Sequence, residues 1–255
     1  MKGISIYLLL VFTYKIIVSQ EQNQKNYAFK DGEFLQYLVH YGFINGGYAM
    51  LKLTEFEMNN KKYFHAVASG YSTGIADKLF KVRDIYETFI DQESDLPIKA
   101  IRNISEGNYK FYDEVLFNRR ENYVISKRKG KVKVSEKTMD MLSAFYYARN
   151  NCFNNLKLGD VITLETFFED TIFVLQIRYK GTETIKTDFG KINCLKFSPV
   201  VEPGRIFDTP DDVTIWISND KNLIPVRVQF DLFIGSVKAD LVKHSNLKFK
   251  FGNND

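Results

Sequence analysis

Gly70-Tyr71-Ser72-Thr73-Gly74 is the stretch of this 255-residue chain that spells a catalytic motif. A G-x-S-x-G turn presents a nucleophilic serine between a strand and a helix, and it works only when a histidine base and an orienting carboxylate reach the hydroxyl. His244 is the histidine downstream, between Lys243 and Ser245 on a polar strand end. The flanking sequence lacks the strand–helix alternation of an α/β-hydrolase sheet. The competing account is local: the glycines permit positive φ, and Ser72 caps a helix entry. Ser72 therefore stays as a remote hydrolase candidate, and no residue is assigned as catalytic.

Other reactive residues lack the spacing that chemistry needs. His40, His65 and His244 are scattered, and neither Cys152 nor Cys194 has a C-x-x-C companion, so no metal site and no cofactor are expected. Cys152 and Cys194 have two fates open to them, a disulfide or separate buried thiols. Asp208, Asp211 and Asp212 around Thr209-Pro210 lack the ligand period of a calcium loop and read as a solvated turn.

Two segments could bind rather than react. Ser143-Ala144-Phe145-Tyr146-Tyr147-Ala148-Arg149 couples three aromatic rings to a terminal arginine. Such a segment either plugs the core or lines an apolar pocket in which Arg149 meets an acidic head group. Phe145, Tyr146, Tyr147, Arg149 and Trp216 are the candidate ligand contacts. Lys127, Arg128, Lys129, Lys131 and Lys133 surround an expected hairpin tip, where they guard an exposed sheet edge or contact an anionic lipid surface.

Bulk properties narrow the setting. Residues 1–20 carry Lys2, an apolar stretch from Ile4 to Phe12, and Val18-Ser19-Gln20 before a polar run, the pattern of a secretory signal peptide cut near Ser19 or Gln20. Cleavage lowers the formal charge of +4 by Lys2 and Lys15 to +2, too little for a nucleic-acid partner. No cysteine lies near the cut, so the exported chain carries no lipid-anchor signal, and nothing after the cut is long enough to span a membrane. The expected setting is the periplasm of a Gram-negative bacterium, as a monomer.

The elements that must position these residues are mostly strands. Leu35, Tyr37, Val39 and Tyr41 alternate with polar residues before the Asn45-Gly46-Gly47 turn, and the rhythm returns through Val213-Ile215-Ile217, Ile224-Val226-Val228-Phe230 and Val237-Ala239-Leu241. Pro225, without an amide hydrogen, should begin its strand or face an open edge. Thr73–Phe80 and Thr138–Arg149 read as helices, the second capped by Thr138. A one-sided sheet must cover its apolar face. The expected fold is mainly β: a single strongly curved antiparallel sheet, a half-barrel or open-barrel meander, with two short helices on its concave face. Residues 21–32 are expected to be a flexible N-terminal segment and 33–250 a single β-rich domain.

Segments Phe34–Tyr41, Gly46–Leu53, Ser69–Asp77, Val82–Tyr86, the Phe145-Tyr146-Tyr147-Ala148-Arg149 helix, Ile215–Asp220 and Ile224-Pro225-Val226, taken in order, resemble the bacterial domain-of-unknown-function family 3108. The resemblance implies an exported, mostly antiparallel β protein with no established activity, so it supplies no catalytic residue. The late strands also resemble, at fold level, the curved half-barrels that carry lipoproteins. The expected function is therefore non-enzymatic: binding of a lipid or other apolar ligand on the concave face, or alternatively a protein–protein contact in the cell envelope.

Overall fold

The computed structural model describes residues 25–200 and 213–252. The signal segment with Ser19 and Gln20, and the Asp208, Asp211 and Asp212 cluster, lie outside the described residues. Along the chain run β1 (Phe34–Tyr41), β2 (Ile44–Met58), β3 (Lys61–Ser72), α1 (Gly74–Leu79), β4 (Arg83–Asp91), β5 (Leu96–Glu106), β6 (Tyr109–Asn118), β7 (Tyr123–Ser126) and β8 (Gly130–Lys133). There follow α2 (Met141–Asn151), β9 (Val161–Phe168), β10 (Thr171–Thr187), β11 (Gly190–Pro199), β12 (Val213–Ser218), β13 (Pro225–Asp231) and β14 (Ser236–Ser245). Pro225 begins β13, as its missing donor requires.

All the strands join one antiparallel sheet with β8 at one edge and β9 at the other. Two meanders, β1 to β8 and β9 to β14, are joined where β1 pairs with β14, so the chain's first and last strands meet in the middle of the sheet. The N-terminal half of this sheet and the β9 edge both contact α2, which requires the sheet to curl around that helix. Among the described residues no backbone ladder pairs β8 with β9 to close the seam. Instead the chain leading into α2 lies along β9: the Met139 amide donates to the Glu165 carbonyl at 2.9 Å and the Phe167 amide to the Met139 carbonyl at 2.7 Å. Phe167 of β9 then packs with Val115, Phe117, Val124 and Val134 from the far edge.

α2 begins at Asp140, not at Thr138. The Asp140 carboxylate accepts the Leu142 and Ser143 amides, and the Ser143 hydroxyl accepts the Asp140 amide, a complete capping box. Thr138 instead turns its hydroxyl to Glu165. Leu142 and Tyr146 pack one face of α2 against Tyr27, Phe29, Leu53, Phe64 and Ile90. On the other face Ala144 and Ala148 let Ile162, Leu164, Phe197 and Ile217 approach closely. The i, i+4 spacing of each pair puts it on one side of the helix.

Three expectations need correction. Residues 25–32 are not loose over their described length, because Tyr27, Ala28 and Phe29 are buried core residues. α1 does not lie on the concave face: it buries no residue, packs mainly on β2 and β3, and ties to β4 through Asp77 and Arg83. The strands read from alternation omit β9 and the first half of β10, whose turn at Glu169-Asp170 takes positive φ without a glycine.

Candidate functional site

The aromatic helix had two readings, a core plug or a pocket offering Arg149 to an acidic ligand, and the fold uses that charge internally. Arg149 is 1% exposed, and its guanidinium holds the Glu33 carboxylate through two bonds, at 2.6 and 2.9 Å. Two further donors, at 3.2 and 2.8 Å, reach the Asn222 carbonyl. The rings of Phe29, Phe145 and Tyr146 lie 5.2, 5.4 and 5.5 Å from the guanidinium. Burial is the largest single influence and lowers the arginine's pKa, but the Glu33 charge and hydrogen bonds, with smaller help from Tyr146 and Tyr37, together exceed it and leave the pKa raised. Glu33 lies just before β1 and Asn222 on the turn before β13, so the pair ties helix, N-terminal half and C-terminal half together.

The candidate ligand contacts do not converge. Tyr146 is buried, while Phe145 and Tyr147 are half-buried against different core clusters. Trp216 stands on the opposite side of β12 from Ile217, which packs near α2; it joins Ile185, Ile192, Cys194 and Val226 and donates its indole N–H to Glu183 at 3.2 Å. The enclosed space between α2 and β4–β6 amounts to about 30 Å³, bordered by Ala100, Val115, Leu142 and Phe167. That holds a water or two and no acyl chain. The open mouth beside the C-terminus of α2 is larger, about 550 Å³, and is lined by Asn26, Asn150, Asn154, Asp220 and Lys221 among others.

Ser72 has no histidine partner. Its hydroxyl donates to Asp77 at 2.7 Å and accepts the Val82 amide at 2.9 Å, tying the ends of the α1 loop together rather than capping a helix amide. His40 bonds Asp240 at 3.0 Å, His65 bonds Glu87 at 2.8 Å, and His244 lies against Phe189 and Phe251. Cys152 and Cys194 are both free thiols, which corrects the disulfide alternative. Cys152 ends α2, whereas Cys194 is enclosed beneath Trp216, and its thiol is pushed up to about 12, chiefly by burial.

Alternating strand directions put the β1–β2, β3–β4, β5–β6, β7–β8, β9–β10 and β13–β14 connections at one end of the sheet. We call this end the rim. The β1–β2 tip shows Phe43 fully and Ile44 largely to solvent, and the neighbouring β13–β14 tip does the same with Leu232, Phe233 and Ile234. The two tips are tied: the Tyr41 hydroxyl donates to the Ile234 carbonyl at 2.7 Å. Gly235, at φ 74°, sits so close that an added Cβ would lie 2.8 Å from the Tyr41 hydroxyl. Beside them α1 exposes Ile75, Leu79 and Phe80. Phe80 covers Gly107 of the next turn, whose amide donates to the Lys81 carbonyl at 2.8 Å. The rim continues to the basic hairpin. There Asp113 and Ser126 shape the turn, with Ser126 accepting the Lys129 amide at 3.0 Å. Lys127, Arg128, Lys129, Lys131 and Lys133 are all exposed, the last two on edge strand β8.

The sequence reading passed over Glu33, Asn222 and the apolar tips. Glu33 and Asn222 gave no local sign. The tips did, since Phe43, Leu232, Phe233 and Ile234 sit where turns carry Gly, Asn, Asp and Ser.

Comparison with known proteins gives a fold and a family. A β-barrel-like protein of the domain of unknown function DUF1849 from Brucella abortus superposes with a TM-score of 0.53 at 10% identity, over 86% of this chain and 99% of that one. A protein described as exported, with a YmcC-like fold, from Bacteroides fragilis gives 0.37 at 11% identity, over 85% and 96% of the two chains. A lipoprotein so described from Parabacteroides distasonis gives 0.36 at 10% identity, over 86% and 98%. No curated protein matches. The model of the family described as protein of unknown function DUF3108 matches residues 36–242, so the resemblance in the late strands and the aromatic helix was of family rank: the chain belongs to DUF3108.

Proposed function

We propose that this protein is an exported, non-enzymatic module of the cell envelope that binds an apolar partner at its rim. The observation that carries the reading is the pair of tied hairpin tips showing Phe43 and Phe233 fully to solvent. Large apolar side chains clustered in adjacent turns mark an interaction site more often than a random surface does. Three further features support it. α2 fills the concave face, and the space beneath it is about 30 Å³, which argues for a partner held outside the sheet. Ser72, His40, His65 and His244 each engage groups that make no nucleophile–base pair with one another. The signal-like N-terminus directs the chain to the envelope.

Photo-crosslinking in cells tests this. A photoreactive residue at position 43 or 233 should capture lipid or a defined protein, and one at position 158, exposed at the opposite end, should not. Equal yields from all three positions sink the reading.

A further inference from the structure

We infer that the rim docks on an anionic membrane surface, with the β1–β2 and β13–β14 tips inserted among the lipids. This rests on the rim being the binding surface and names what it binds. The shape of the rim favours a bilayer over a receptor groove. Phe43, Ile44, Leu232, Phe233 and Ile234 stand exposed on two turns. The inner space of about 30 Å³ is too small for such a tip, and the open spaces of about 550 and 370 Å³ are bordered by charged side chains, Asp220 and Lys221 in one and Lys186, Arg227 and Asp240 in the other, so a second copy of this chain is a poor match for it.

Charge at the same end is complementary to acidic head groups. Lys78, Lys81, Lys127 and Lys129 are exposed and make no ion pair among the described residues. Among the described residues the acidic side chains at this end have partners: Asp77 meets Arg83 at 2.7 Å, Asp170 meets Arg128 at 3.7 Å, Glu169 meets Arg102 at 3.8 Å, and Asp84 accepts the Ser105 amide at 2.9 Å. Asp231 accepts from Gln229 at 2.8 Å, and burial and the neighbouring Asp84 raise the pKa of the Glu106 carboxyl. Between the tips and the lysines stand Tyr41, Tyr109 and Tyr112, partly exposed. Apolar tips, a tyrosine level and flanking lysines are what a protein seated at a lipid–water interface presents. The opposite end offers Asn59-Asn60, Asp91–Asp95 and Arg119–Asn122 in its turns, with Met58, Leu158 and Phe189 as separate exposed apolar residues.

Flotation of the purified protein with vesicles tests the assignment. Vesicles of phosphatidylethanolamine with phosphatidylglycerol should carry the protein up the gradient, and neutral phosphatidylcholine vesicles should carry far less. Phe43→Ser with Phe233→Ser should weaken the partition about tenfold or more, because a lost apolar anchor acts directly on insertion. Lys127→Gln and Lys129→Gln should each cost about fivefold at low salt. Leu158→Ser, at the far end, should leave flotation unchanged. Circular dichroism of each variant keeps a folding defect from passing as a binding defect. Flotation that ignores lipid charge, or tip variants that float like the parent, overturns the membrane assignment. If the protein does not float yet position 43 crosslinks to one protein, the membrane assignment fails and the rim reading stands. If neither vesicles nor crosslinks report on the tips, both fail.

Discussion

The interior around α2 and the rim use the same residue types to opposite ends. Both place aromatic rings near cationic side chains. Inside, Arg149 meets Glu33 and the Asn222 carbonyl, and Phe29, Phe145 and Tyr146 surround it, so every strong group is answered within the chain. At the rim, Phe43 and Phe233 are fully exposed, and Lys127 and Lys129 make no close ion pair among the described residues. The difference teaches that an aromatic–arginine cluster in the sequence is evidence of function only after its charges have been traced. Here the tracing moves the site from the helix to the turns.

The largest expected effect lies inside. Arg149→Met should destabilise the protein by about 3–5 kcal/mol in urea unfolding, because it strands a buried Glu33 carboxylate. Adding Glu33→Leu to that variant should restore much of the loss, since an apolar pair carries no desolvation cost. A double variant as weak as the single would mean that geometry at Asn222, not charge pairing, dominates.

The rim should respond in the reverse sense. Phe43→Ser with Phe233→Ser should change unfolding free energy by no more than about 0.5 kcal/mol while reducing vesicle flotation about tenfold. A large stability loss from these two fully exposed residues would erase the distinction between the regions. Asp140→Ala, which removes the cap of α2, should fall between, at about 1 kcal/mol.

Acid titration sharpens the contrast further. Burial raises the Asp240 carboxyl, but its bonds to Arg227 and His40 outweigh burial and hold it below the usual carboxylate range. A folded-state pKa below the unfolded one gives stability that is present above about pH 4 and is lost as pH falls through the folded value. Asp240→Asn should therefore flatten the acid limb of stability against pH, measured by thermal melting between pH 5 and pH 2, while leaving α2 intact by circular dichroism. A limb as steep as the parent's would assign it elsewhere. The smallest effect concerns the thiols. Cys194, held up to about 12, should not react with an aromatic disulfide reagent at pH 8 in the native state, and both cysteines should react after denaturation. A non-reducing mass two hydrogens short would restore the bridge.

Much of the fold was legible because its signals are local. Alternation in Leu35–Tyr41 and in Val237–Leu241 marks half-buried strands, and Pro225 marks a strand start. β9 was passed over although Ile162 and Leu164 alternate with Thr163 and Glu165; what they pack against, α2 for these two and the far edge for Phe167, lies distant in sequence. The α2 cap was misplaced by two residues because Thr138 and Asp140 are both good caps, and only the approach of Glu165 takes the Thr138 hydroxyl away. The candidate site was less legible. Nothing near Arg149 announces Glu33, which is 116 residues away along the chain.

The sequence by itself determined the class of fold, through its two-residue apolar period, and the family, through the Phe-Tyr-Tyr-Ala-Arg helix and the Trp216 strands. It also determined the cationic hairpin, because a Lys/Arg run around a glycine turn has nowhere to hide. Tertiary structure alone decided which aromatic groups are spent and which remain available. Curling the sheet around α2 buries Arg149 against Glu33, while pairing β1 with β14 brings two apolar turns together at one end. Burial and juxtaposition are properties of chain segments meeting in space, and no period along the chain encodes them.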